Sequence, residues 1–184
     1  MTHSNATVSP LVAENLSLLT ALPAEYGVLD LACGSGRNGL HLVRNNIAVT
    51  FADHNAAALA AIESSLPSGS GLVKTWLVDL EAGQSDPLAG KQFDAILVFN
   101  YLHRPLMNAM GRAIKSGGLV FYETFTTAQR EFGRPSNPDF LLRPGELQEY
   151  FVDWEIVQYF EGERENPQRA VASLIARKPG PQAG

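Results

Sequence analysis

The rhythm of strands and helices changes near the end of this chain, and that change restricts the fold more than any other feature. Val28–Leu31, Ile47–Ala52, Leu72–Val78, Phe93–Phe99 and Leu119–Phe125 read as short apolar strands. Helical stretches lie between most of them: Arg37–Arg44 after a glycine turn, an alanine-rich run from the cap Asn55 to about Leu66, and one near Pro105 that stops before Gly117. Such alternation produces a parallel sheet covered on both faces. After a short helix opened by Pro144, Trp154–Glu161 and Ala170–Ala176 are joined only by the turn Glu165-Asn166-Pro167-Gln168. With no helix between them, these two must pair antiparallel through a hairpin. The prediction is a single-domain, doubly wound α/β sheet, mainly parallel, that ends in an antiparallel strand. One domain spans residues 1–184, with its core at about 9–178 and loose ends at 1–8 and 179–184. Ser9 and Pro10 read as the cap and first position of a leading helix carrying Leu11, Leu16, Leu18, Leu19 and Leu22, closed by Pro23.

The first strand runs into Gly34-Ser35-Gly36-Arg37-Asn38-Gly39, a literal G-x-G-x-x-G. Asp53 follows about twenty residues on, as the dinucleotide fingerprint asks. Asp30, ahead of that turn, argues against a dinucleotide. A carboxylate at the mouth of the turn repels a pyrophosphate and attracts a ligand bearing an ammonium and a sulfonium, which is the description of S-adenosylmethionine. The plainer alternative is that Asp30 ties down the turn through backbone hydrogen bonds. An NAD-linked oxidoreductase remains the rival that the glycine pattern alone would suggest.

Composition sets further bounds. With 184 residues, 45% hydrophobic and 18% charged, the chain can bury one ordinary core. A net charge of −5 offers no general attraction to a phosphate backbone, so nucleic acid is not an expected partner. No apolar run reaches the roughly 18–20 residues of a membrane span. The single cysteine, Cys33, fits a reducing compartment, and with no signal-peptide pattern at the start the expected location is the cytoplasm. Cys33 reads as a small filler of the turn or as a reactive thiol. Histidines, the cysteine and the acids make no recognised metal-ligand spacing.

Val28-Leu-Asp-Leu-Ala-Cys-Gly-Ser-Gly36, the acids at strand ends and the closing hairpin together resemble the class I S-adenosylmethionine-dependent methyltransferases. The similarity runs from Val28 to Lys178 and lies nearest the small bacterial members grouped with the tellurite-resistance methyltransferases. It implies a seven-stranded sheet in the order 3-2-1-4-5-7-6 with the last strand antiparallel, and methyl transfer from the bound cofactor; the short stretches flanking the sheet favour a small-molecule acceptor, or a macromolecular target presented by a partner subunit. It also implies a cofactor turn at Asp30, Ala32, Gly34 and Gly36, with Ala32 standing where many members carry glycine. On this resemblance the Asp79 carboxylate and the Leu80 N–H meet the adenine, and Asn100 holds the methionine end. Asp53, at the end of the second strand, is placed to accept hydrogen bonds from both ribose hydroxyls or to cap the following helix. His54 either packs beside the adenine or is a solvated loop histidine.

The remaining candidates concern chemistry on the acceptor. Tyr101 and His103 follow the fourth strand at the carboxyl edge of the sheet, where open α/β sheets bind ligands. Tyr101 is a candidate wall of the methyl channel, and His103 a candidate general base or a helix cap. Arg104 binds an acidic substrate or faces solvent. Glu123, near the tip of the fifth strand, is a poor core residue unless paired, so it is either a catalytic carboxylate or half of a buried ion pair. Tyr122 beside it must point to the opposite face of the sheet. Residues 126–143 read as a long connection that either closes over the crevice, with Phe132 excluding water and Arg134 touching substrate, or is an ordinary surface loop. A non-catalytic cofactor-binding subunit is the alternative of a different class.

Overall fold

The computed structural model describes residues 7–66, 71–83 and 86–180. Seven strands form one sheet: β1 Val28–Leu31, β2 Val49–Asp53, β3 Val73–Leu77, β4 Phe93–Phe99, β5 Ile114–Phe125, β6 Glu155–Arg164 and β7 Arg169–Arg177. Their order is β3-β2-β1-β4-β5-β7-β6. β1 to β5 pair in parallel, while β7 runs antiparallel to both β5 and β6. The topology expected from the broken rhythm is the one observed. The calls at residues 1–6 and 181–184 lie outside the described residues.

Strand periodicity divides the core between two layers. Ala95, Leu97 and Phe99 of β4 join Leu119 and Phe121 of β5 on one face. That face is covered by α1 Pro10–Ala13, α2 Leu16–Thr20, α3 Arg37–Arg44 and α4 Ala56–Ser64, through Leu11, Leu19, Leu42 and Ile62. Ile96, Val98, Val120 and Tyr122 point the other way, under α5 Met107–Ala113 and α6 Glu146–Tyr150. β4 is buried along its whole length, Asp94 included, so the strand must accommodate a carboxylate inside. The carboxylate of Asp94 accepts hydrogen bonds from the N–H groups of Tyr26 and Gly27 at 2.8 and 2.7 Å and pairs with Lys115 Nζ at 2.8 Å. A buried charge so partnered costs far less than a bare one.

Two local readings need correction. The leading helix is split at Asn15, whose Nδ2 donates to the Leu11 carbonyl at 3.0 Å and also reaches Gln158 Oε1 at 3.0 Å. A side chain that competes for the helical acceptor ends the helix there. Ser9 does cap the first half, accepting from the Leu11 N–H at 3.3 Å. β5 also begins at Ile114, inside the stretch expected to be the end of the preceding helix. Gly117 and Gly118 do not stop it: the pairing register shifts between Phe93 and Ala95, and Gly118 lies so close to the Asp94 carbonyl that a Cβ would not fit.

Candidate cofactor and acceptor site

The chain leaves β1 and β4 through two residues in the left-handed region, Ala32 at φ 53° and Asn100 at φ 55°. These strands lie side by side where the strand order reverses, the topological switch point of the sheet. Asparagine tolerates this conformation, but alanine is strained in it by about 1 kcal/mol. Ala32 thus occupies a position suited to glycine, as the family pattern implies. The same two residues line two adjoining cavities at the carboxyl edge.

The first cavity, about 380 Å³, is bounded by Asp30, Gly34, Arg37, Asn38, Phe99 and Asn100. Asp30 is 3% exposed, and its Oδ2 accepts from the Gly39 N–H at 2.9 Å. Burial raises its carboxyl to about 7, against the lowering effect of the Gly39 N–H and the Arg37 guanidinium. Asp30 thus ties down the turn, and it also lines the cavity. Gly39 makes this possible, because a Cβ there would fall 2.8 Å from Asp30 Oδ2 and strike the Phe51 ring. Gly34 and Gly36 take φ of 54° and 70°, so the turn itself requires glycine. Cys33 is half-buried in the turn; burial and the Asp30 charge raise its thiol above the ordinary range, which suits a filler rather than a nucleophile.

The second cavity, about 240 Å³, brings together Asp53, His54, Asp79, Leu80, Asn100 and Tyr101, all picked out in the sequence. It adds Glu81, which sequence reasoning missed. The signal for it was the turn chemistry: Asp79 Oδ1 accepts from the Glu81 N–H at 2.9 Å, an Asx-type turn that folds the loop back over the strand end. Asp53 Oδ2 accepts from the Gly34 N–H at 2.8 Å and Oδ1 from the Asn55 N–H at 2.8 Å. One carboxylate thereby joins the glycine turn to the end of β2, and its remaining lone pairs face the cavity. The His54 side chain is largely in solvent, 3.5 Å from Asp53. The Tyr101 hydroxyl is buried without a hydrogen-bond partner, and burial, then the nearby Glu81 charge, raise its pKa above that of a free phenol.

Four acids, Asp30, Asp53, Asp79 and Glu81, face the two cavities, against Arg37 as the one lysine or arginine among the lining residues. A pyrophosphate would be repelled there and a cationic amino acid end attracted. With a tight glycine turn, a buried tyrosine hydroxyl and an acidic wall, these residues fit S-adenosylmethionine.

A third cavity of about 480 Å³ adjoins the first, sharing Arg37 as a wall. Glu123 lines it, 2% exposed, with Oε1 3.3 Å from Arg169 and Oε2 4.0 Å from Arg164. The buried ion pair is therefore what the structure displays, and the free carboxylate expected of a general base is not. Tyr122, as the sheet alternation demanded, points to the other face and donates to the Tyr101 carbonyl at 2.9 Å. His103 lines none of these three cavities; it stands at the N-cap of the 3-10 turn Arg104–Leu106, where its carbonyl accepts from the Leu106 N–H at 3.0 Å and its side chain makes no capping hydrogen bond. Its position after β4 was legible; its direction was not.

Arg104 neither faces solvent nor waits for substrate. Its Nε and one Nη reach Glu146 at 2.7 and 3.0 Å, and its Nη atoms also donate to the carbonyls of Asp139 and Leu141 at 2.9 Å each. The segment 126–143 is likewise fastened. Gln129 Nε2 donates to the Arg134 carbonyl at 3.1 Å, Gln129 Oε1 accepts from the Ala170 N–H at 2.9 Å, and Thr126 bridges to Leu142. Phe132 and Arg134 line none of the three cavities, which corrects the reading of this segment as a cover for the crevice.

Among the described residues no group of three or more His, Cys, Asp or Glu side chains is placed to hold a metal ion, and no helix is long and apolar enough to cross a membrane.

Residues 9–168 match the family model described as tellurite resistance protein TehB. The chain is 31% identical over 169 residues to a probable S-adenosyl-L-methionine-dependent methyltransferase TehB of Haemophilus influenzae, covering 82% of this chain and 57% of that protein. The crystal structure of TehB from Haemophilus influenzae superposes with a TM-score of 0.70 at 25% identity, over 95% of this chain and 64% of the other. A SAM-dependent methyltransferase of Methanosarcina mazei shares the fold, with a TM-score of 0.68 at 16% identity over 96% of this chain and all of that one. The chain thus spans under two thirds of the length of its Haemophilus relatives. With the sheet order, the glycine turn and the acidic crevice all in place, and a family match over most of its length, the chain belongs to the TehB family of S-adenosylmethionine-dependent methyltransferase fold.

Proposed function

We propose that this chain is an S-adenosylmethionine-dependent methyltransferase acting on a small-molecule acceptor. The observation that carries the reading is the acidic double cavity at the switch point, built from the glycine turn and the ends of β1 to β4. In this reading Asp53 accepts from the ribose hydroxyls, and Asp79 and the Leu80 N–H meet the adenine. Asp30, Ala32, Gly34, Gly36 and Asn100 surround the amino acid end, while His54 and Tyr101 form side walls. When bound, the cofactor supplies an electrophilic methyl on a positively charged sulfur. The residues of the chain then act mainly by positioning, since an in-line displacement needs nucleophile, methyl and sulfur collinear at about 3–3.5 Å. The acceptor side is the Glu123 cavity, separated from the cofactor side by Arg37.

The small-molecule part of the reading rests on the size of that third cavity, which falls within the range of ligand pockets. Two measurements test the whole. S-adenosylmethionine should raise the thermal midpoint of the purified chain, and NAD should leave it in place. Labelled methyl transfer over thiols, amines, oxyanions, carboxylates and RNA should then yield a low-molecular-weight product. Binding without turnover of any acceptor would favour a cofactor-binding subunit, and label appearing in RNA would overturn the small-molecule assignment.

A further inference from the structure

We propose that the cavity around Glu123 receives an organic carboxylic acid, and that an ionised carboxylate oxygen of this acid takes the methyl group. The proposal rests on the methyltransferase reading above. Its geometry begins with adjacency. Phe99 and Glu123 are register partners on neighbouring strands, and they line the cofactor cavity and the third cavity respectively. Arg37 belongs to both walls. A ligand in the third cavity therefore has one end beside the methionine end of the crevice.

Charge decides the sign of that ligand. Three guanidiniums, Arg37, Arg164 and Arg169, line the cavity around a single buried carboxylate, Glu123. Glu123 alone is buried among these three half-buried arginines and cannot neutralise them all, so the inner part of the cavity keeps a net positive charge. Arg164 Nε makes no hydrogen bond and stands 4.0 Å from Glu123 Oε2, a loose ion pair that leaves its hydrogen-bonding capacity unfilled. The other glutamates of the cavity, Glu163 and Glu165, are exposed at its rim. They oppose a doubly charged phosphate ester more than a singly charged carboxylate.

Size and chemistry narrow the class. At about 480 Å³ the cavity has room for a ligand with an organic body, and a compact inorganic oxyanion would leave most of it to water. Its walls include Val8, Pro10 and the Phe160 ring, over which the Arg164 guanidinium is stacked at 4.2 Å. Both Glu123 oxygens face arginines and His103 lies elsewhere, so the two candidate bases are not directed at an acceptor. An acceptor that is already ionised needs none. The new oxygen–methyl bond forms as the sulfur–methyl bond breaks, with the broken bond's electron pair left on sulfur. Carboxylate and sulfonium charges cancel, no proton moves, and the products are a methyl ester and S-adenosylhomocysteine.

The test supplies labelled S-adenosylmethionine to the full chain with benzoate, indole-3-acetate or octanoate, beside selenite and 2-mercaptoethanol. The expected product is labile to mild alkali and releases volatile labelled methanol, as a methyl ester does. Arg164→Gln should raise the KM for the acid about tenfold or more, the weight of one charge-assisted hydrogen bond. Its calorimetric affinity for S-adenosylmethionine and its thermal midpoint should stay near those of the parent chain. Label in selenite or the thiol with none in the acids overturns this proposal and leaves the methyltransferase reading standing. So does failure of all three acids, at millimolar concentration, to show saturation-transfer NMR contacts with the chain bound to S-adenosylhomocysteine. Absence of S-adenosylmethionine binding would instead overturn the reading beneath it.

Discussion

At the scale of single residues, Asp30 combines a structural and an electrostatic role. Its folded-state carboxyl sits near 7, above the ordinary 3.8, because burial disfavours the charge. The folded chain therefore holds a proton there that the unfolded chain has lost. Its contribution to stability is complete below about pH 3.8 and disappears as pH rises through about 7. Asp30→Asn should remove that pH dependence in urea unfolding of the ligand-free protein, while keeping an oxygen for the Gly39 N–H. Above about pH 7, where the parent carboxyl is ionised, the same variant should weaken S-adenosylmethionine by about tenfold or more, having lost the charge. Unchanged affinity would mean that Asp30 only fastens the turn. Gly39→Ala, by contrast, drives a methyl into Asp30 and Phe51 and should cost about 2–3 kcal/mol in the same unfolding assay.

Residue types and positions were readable for most of this site. Asp30, Asp53, Asp79 and Asn100 stand at strand ends, and strand ends follow from periodicity. What could not be read was direction and partnership. His103 and Arg104 follow the same strand, yet one lines no part of the site and the other turns to Glu146, which is 42 residues away in the chain. No local pattern reports a partner at that separation. Asp53 shows the same limit: its hydrogen bonds to Gly34 and Asn55 mean that Asp53→Ala should cost stability as well as cofactor affinity.

Among the elements, the clamp between Arg104 and Glu146 joins the 3-10 turn Arg104–Leu106, after β4, to α6. Burial alone would raise the Glu146 carboxyl, but the Arg104 fork and the Arg143 N–H outweigh it and bring the value down to about 2. A folded value below the ordinary 4.5 gives a contribution that is complete above about pH 4.5 and is lost as pH falls toward 2. Arg104→Ala leaves a carboxylate buried beside an empty space and should cost about 3 kcal/mol near neutrality. That cost should shrink in urea titrations near pH 3, and a cost independent of pH would show that the charge on Glu146 is not what the clamp holds. Because the loop carrying Asn100 and Tyr101 leads directly into this clamp, loosening it should also raise the Kd for S-adenosylmethionine.

For the whole molecule, the topology was the most legible property, because it follows from where helices are missing. Trp154–Glu161 and Ala170–Ala176 had no crossover between them, and the hairpin β6–β7 is the result. It also places Arg164 and Arg169 at one end of the sheet beside Glu123, so the element that ends the fold supplies the positive wall of the third cavity. The charge of the crevice, in turn, is a sum over three strand ends and appears only once the sheet brings them to one edge. That sum separates a sulfonium ligand from a dinucleotide sharing the same glycine spacing. Calorimetric titration of the purified chain with S-adenosylmethionine and, separately, with NADH tests it most directly. Saturable binding of S-adenosylmethionine with no heat from NADH is the expected result; saturable binding of NADH, or of neither, would contradict it.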